Sequence, residues 1–107
     1  MAYRLVLTHS AERDLDDIYR YIESRDGTAR ADTLVVELLD VCNGIVTFPE
    51  RNNVPKELRQ FGVLNYREAH CGPYRIVCRI AGSQITVYCI VDGRRDMQSL
   101  LRRRLLL

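Results

Sequence analysis

The stretch Tyr66-Arg67-Glu68-Ala69-His70-Cys71-Gly72-Pro73-Tyr74-Arg75-Ile76-Val77-Cys78-Arg79-Ile80-Ala81-Gly82-Ser83-Gln84-Ile85-Thr86-Val87-Tyr88-Cys89-Ile90-Val91 decides the fold. Three strand-length segments, Tyr66 to Cys71, Tyr74 to Ile80 and Ile85 to Val91, are separated by Gly72-Pro73 and by Ala81-Gly82-Ser83. Turn residues between β-branched and aromatic runs predict an antiparallel meander. In the middle segment Tyr74, Ile76, Cys78 and Ile80 alternate with Arg75 and Arg79, so one face is apolar and the other basic. In the last segment Ile85, Val87, Cys89 and Val91 form the apolar face, and Asp92-Gly93 ends it. The turn at Gly72-Pro73 leaves the register open. A two-residue turn sets His70 beside Arg75, a three-residue turn sets it with Tyr74, and the same choice moves Arg67 between faces.

Towards the amino terminus, Tyr3-Arg4-Leu5-Val6-Leu7-Thr8 reads as a first strand. Ser10 then caps a helix from Ala11 to about Ser24, with Leu15, Ile18, Tyr19 and Ile22 at helical spacing. Asp26-Gly27 breaks the pattern. Thr28 caps a second helix whose stripe runs Ala31, Leu34, Val35, Leu38, Cys42, Ile45 and Val46, and Pro49 lies beyond its end. So short a link predicts an antiparallel hairpin packed on one face of a sheet. Residues 50–64 read as a loop with one short helical turn, and residues 94–104 as a short basic tail or helix. The expected architecture is α+β, one domain over residues 1–107: an N-terminal strand, a helix hairpin, a three-stranded meander and a basic tail. The sheet face opposite the helices is expected to be open.

A chain of 107 residues holds one core, and its 47% hydrophobic and 28% charged composition is that of a globular domain. No apolar run approaches the roughly 20 residues needed to cross a bilayer, and Met1-Ala2-Tyr3-Arg4 lacks a signal-peptide layout, so no membrane partner and a cytoplasmic location are expected. Charge is divided unevenly. Residues 1–50 carry five arginines against ten acids, and residues 51–107 carry eleven cations against four acids. Such a distribution offers a basic surface to nucleic acid or to an acidic protein. Cys42, Cys71, Cys78 and Cys89 include no C-x-x-C pair and read as reduced core thiols. With only His9 and His70 available as imidazoles, no metal site or cofactor is expected. Arg75 and Arg79, with Lys56, Arg59, Arg67, Arg94 and Arg95, form a candidate anion-binding surface, unless they pair with Glu57, Glu68, Asp92 and Asp96. The run Arg102-Arg103-Arg104 suits phosphate, partner carboxylates or a solvated tail equally.

Six phrases, taken in order, carry a family resemblance: Tyr3-Arg4-Leu5, Ala11-Glu12-Arg13-Asp14-Leu15-Asp16-Asp17-Ile18, Val54-Pro55-Lys56-Glu57-Leu58-Arg59, Tyr66-Arg67-Glu68-Ala69-His70, Pro73-Tyr74-Arg75-Ile76-Val77 and Asp92-Gly93-Arg94-Arg95-Asp96. The chain resembles toxins of the RelE/ParE superfamily of bacterial type II toxin–antitoxin systems over nearly its whole length. The resemblance implies a small toxin held inactive by an antitoxin. In the RelE-like branch it implies a ribosome-dependent mRNA endoribonuclease, whose two arginine positions match Arg75 and Arg95. There Arg67 takes a lysine's place, Ala69 a second lysine's, and Leu101 that of the tail tyrosine. Ala69 cannot act as a base and Leu101 cannot donate a proton. The ParE-like branch, which Gly93-Arg94-Arg95-Asp96 resembles more closely, implies a binder that poisons DNA gyrase without catalytic residues of its own.

The leading expectation is therefore a ParE-like gyrase inhibitor in a hetero-oligomer with a ParD-like antitoxin, and no catalytic residue is assigned. The alternative is a nuclease acting on ribosome-bound mRNA through Arg75 and Arg95, with His70 as base. Target-binding candidates are Arg67, Arg75, Arg79, Arg94 and Arg95, and antitoxin-binding candidates are Leu15, Ile22, Leu105 and Leu106.

Overall fold

The computed structural model describes residues 3–105. A four-stranded sheet has the order β1-β4-β3-β2, from β1 (Arg4–Leu7), β2 (Tyr66–Cys71), β3 (Tyr74–Ala81) and β4 (Gln84–Asp92). The last three form the antiparallel meander, and β1 joins parallel to β4 with Leu5 opposite Ile85. Returning the chain from β1 to β2 requires a crossover, which helices α1 (His9–Asp26) and α2 (Thr28–Ile45) begin.

Thr8, rather than Ser10, is the cap of α1: its Oγ1 accepts the Ala11 N–H at 3.1 Å. Only Gly27 separates the helices. Its φ of 93° is a conformation that favours glycine, its N–H reaches the Glu23 carbonyl at 3.1 Å, and it occupies the cap position of α2 expected of Thr28. Between α2 and β2 lie a 3₁₀ turn at Pro49–Arg51 and the four-residue helix α3 (Lys56–Arg59). The carboxy-terminal segment forms helix α4 (Met97–Leu105), whose first turn is capped by Asp96 accepting from the Ser99 amide and hydroxyl.

The hairpin covers one face of the sheet, where Leu34, Leu38, Cys42 and Ile45 meet Ile76, Cys78, Ile85 and Val87. The opposite face is closed, not open as its alternating arginines suggested. There α3 and α4 lay Leu58, Met97, Leu100, Leu101 and Leu105 against Tyr66, Val77, Cys89 and Val91. Each such buried side chain contributes about 1.5–3 kcal/mol, enough to hold a helix this short.

A bulge makes this second core possible. The β3–β4 pairing steps from Val77 opposite Cys89 to Cys78 opposite Val87, leaving Tyr88 as an extra residue. The simple alternation expected of β4 is thereby corrected. Ile85, Val87 and then Ile90 face the hairpin, while Tyr88, Cys89 and Val91 face α4. Beyond Val87 the outer edge of β4 has no strand partner among the described residues, because β1 ends at Leu7. Side chains supply the missing partners. Buried Asp14 of α1 accepts the Ile90 N–H at 3.0 Å, and Arg104 donates to both Asp14 oxygens at 2.7 and 2.9 Å and to the Tyr88 carbonyl at 3.1 Å. Arg104 is thus turned inward, while Arg102 and Arg103 are exposed. All four cysteines are free thiols. No described helix is long and apolar enough to cross a membrane.

Candidate functional site

The two-residue turn at Gly72-Pro73 fixes the open register. His70 stands opposite Arg75, Arg67 opposite Cys78 and Ala69 opposite Ile76. Pairs across a ladder share a face, so His70, Glu68 and Arg75 lie together, while Ala69 belongs to the core beneath the hairpin.

Arg75 is buried, its side chain only 10% exposed. Its Nε donates to Glu68 Oε1 at 2.7 Å, and its Nη atoms donate to the two Glu57 oxygens at 2.8 and 2.9 Å. This cluster ties α3 to the sheet. The Glu57 bond holds the guanidinium more firmly protonated than usual, and the same bond drops the Glu57 carboxyl below its ordinary value of 4.5. The exposed His70 places Nε2 3.3 Å from Glu68 Oε1. One guanidinium thus faces two carboxylates, and a phosphate brought to Arg75 would meet both of them.

Of the other sequence candidates, Arg94 is exposed and bound to Asp92 at 2.6 Å, a contact that pulls the Asp92 carboxyl down to about 2. Arg95 is exposed beside Lys56 and Gln98 in one cleft. Arg67 is half-buried and donates to the Leu64 and Tyr66 carbonyls, and Arg79 is half-buried opposite Tyr66 and Thr86. The five target-binding candidates thus differ in exposure: Arg75 is enclosed, Arg67 and Arg79 are partly covered, and Arg94 and Arg95 are exposed, with Arg75 and Arg95 lining one cleft. Leu101 is 1% exposed in the second core.

Among the antitoxin-binding candidates, Leu15 and Ile22 are half-buried against the hairpin core, and Leu105, at the end of α4, is buried in the second core. Leu106 lies outside the described residues. Sequence reasoning missed Phe61, which is 64% exposed, and a groove of about 360 Å³ between α3 and α4 lined by Leu58, Phe61, Val63, Leu101 and Arg102. Two helices too short to show a clear period build that groove, so only its exposed apolar residue could have signalled it.

Residues 5–97 match the family model described as "ParE toxin of type II toxin-antitoxin system, parDE". No curated protein sequence gives a significant match. Among solved structures, a chain of the chromosomal ParDE system of P. aeruginosa superposes with a TM-score of 0.69 at 19% identity, covering 85% of this chain and 96% of that one. A mutant of the E. coli toxin RelE in its free state gives 0.63 at 16% identity over 100% of both chains. A chain of the Mycobacterium tuberculosis toxin–antitoxin complex RelBE2 gives 0.57 at 15% identity, covering 86% of this chain and 99% of that one. All three share the α+β architecture described above.

Proposed function

The chain belongs to the ParE toxin family of type II toxin–antitoxin systems, and from that premise we propose that it inhibits DNA gyrase in the cytoplasm by binding rather than by catalysis. A ParD-like antitoxin neutralises it in a hetero-oligomer. The P. aeruginosa and M. tuberculosis relatives belong to two-component toxin–antitoxin systems, which supports such a partner.

The observation that carries the gyrase reading is the enclosure of Arg75 between Glu57 and Glu68. Cleaving a phosphodiester needs cations aimed at the developing charge and groups that move protons. Arg75 is aimed at carboxylates instead, Ala69 lies in one core and Leu101 in the other. One feature favours the nuclease alternative: exposed His70 stands opposite Arg75, where an imidazole can act as a base.

Purified toxin is added to gyrase with supercoiled plasmid, and in parallel to ribosomes translating a defined mRNA. Accumulated cleaved plasmid with intact mRNA is the expected result. Cut mRNA with normal supercoiling overturns the reading, and loss of that cutting in His70→Ala assigns the base.

A further inference from the structure

Some exposed cations are paired, as in Arg20 with Asp16 and Arg94 with Asp92, and others, such as Arg4, Arg13, Arg25, Arg30 and Arg51, have no carboxylate within ion-pair distance among the described residues. The α3–α4 side brings several of the second kind together. Lys56, Arg59, Arg95, Arg102 and Arg103 are all exposed there, and no carboxylate among the described residues lies within ion-pair distance of any of them. Shared clefts link four of them: Lys56 adjoins Arg59 in one, Arg95 and Gln98 in the next, and Gln98 adjoins Phe61 and Arg102 in the third, while Arg103 follows Arg102 on α4. With Arg75, Glu57, Glu68 and Asp96 counted, this side holds an excess of three positive charges, more than the net charge of +2 of the whole chain.

We propose that this surface binds DNA directly, with the five cations on the phosphodiester backbone and Phe61 against a base or deoxyribose face. Guanidinium groups and the Gln60 and Gln98 amides are suited to phosphate oxygens, and an exposed aromatic ring flanked by cations is the arrangement that holds nucleic-acid strands without reading sequence. The spread of charge favours this occupant over an acidic peptide, because the cations extend from α3 across the β4–α4 loop to α4, well beyond the apolar groove. This deepens the gyrase reading, in which DNA is present at the target, but it is measured without gyrase.

The full chain is titrated into short labelled DNA, duplex and single-stranded, and followed by fluorescence anisotropy. Five phosphate contacts imply that a fourfold rise in salt weakens binding by about two to three orders of magnitude. Arg95→Gln and Arg102→Gln should each reduce the slope against log salt by about one, and Phe61→Ala should weaken single-strand binding about fivefold or more with the slope unchanged. Arg13→Gln, on the exposed side of α1, should change nothing, and circular dichroism checks that each variant folds. Absence of binding at low salt, or binding that ignores these substitutions, overturns the proposal. Capture of a labelled poly-glutamate peptide in place of DNA also overturns it and marks the surface for an acidic protein. DNA binding by a toxin that leaves gyrase unaffected keeps this inference and removes the gyrase reading.

Discussion

Gly93 passes so close over Arg75 that a Cβ on the glycine would stand 2.7 Å from Arg75 Cδ and 2.9 Å from Cγ. The Gly93 N–H also donates to the Pro73 carbonyl at 2.8 Å, which pins the β4 exit to the β2–β3 turn. This glycine serves close approach, since its φ is not in the left-handed region. Gly93→Ala should therefore destabilise the protein by about 1–3 kcal/mol, as overpacking does. In an Arg75→Ala background the same change should cost about 1 kcal/mol less, because the clashing atoms are gone. Urea denaturation of the four-variant cycle reads this coupling, and equal costs in both backgrounds would refute the contact as the cause.

The carboxylates around Arg75 set a second expectation. Removing the guanidinium strands two buried charges, whereas removing one carboxylate leaves the other in place. Arg75→Met should thus cost about 3–5 kcal/mol, with Glu68→Gln clearly less. Chemical denaturation checks the order, and a larger loss in Glu68→Gln would be inconsistent with Arg75 as the hub.

Acid should uncouple the same cluster. The Glu57 carboxyl ionises below its ordinary value of 4.5 because Arg75 donates to it, and Asp92 is held down at about 2 by Arg94. A depressed carboxyl stabilises the fold fully above its unfolded pKa, and that stabilisation is lost as pH falls through the folded value. The melting temperature should stay level down to about pH 5 and then fall steadily towards about pH 2. In Glu57→Gln the fall should be shallower, and an identical profile would remove Glu57 from the linkage.

The elements were legible where their signal is local. Alternation and turn residues placed β2, β3 and β4, and apolar spacing placed α1 and α2. Three features depend on contacts between distant segments. The bulge at Tyr88 reverses an alternation that looks unbroken in sequence. The second core needs α4 to fold back over the sheet, and a run of three arginines conceals its apolar stripe of Met97, Leu100, Leu101 and Leu105. The partners of Arg75 were visible as candidates, but only the register, fixed by a turn of two residues, brings Glu68 and His70 to its side.

Arg104 closes α4 onto the sheet, and cysteine chemistry offers a direct readout. Burial pushes the Cys89 thiol up to about 12 under α4, and pushes Cys78 to about 12 and Cys42 to about 11 beneath the hairpin. The thiolate is the reactive form, so at pH 8 Cys89 would stay almost wholly protonated even if it were reachable. Cys71, half-buried at the end of β2, should be the first alkylated by iodoacetamide. In Arg104→Ala, Asp14 keeps its bond to the Ile90 amide but loses the cation that balances its buried charge. Local opening of α4 should then become easier by a few kcal/mol. Cys89 labelling should accelerate at least tenfold, while Cys42 and Cys78, on the other face of the sheet, stay protected. Mass spectrometry of a labelling time course resolves the four sites. Equal acceleration at all of them would mean that Arg104 supports the whole fold and does not act as a latch on α4.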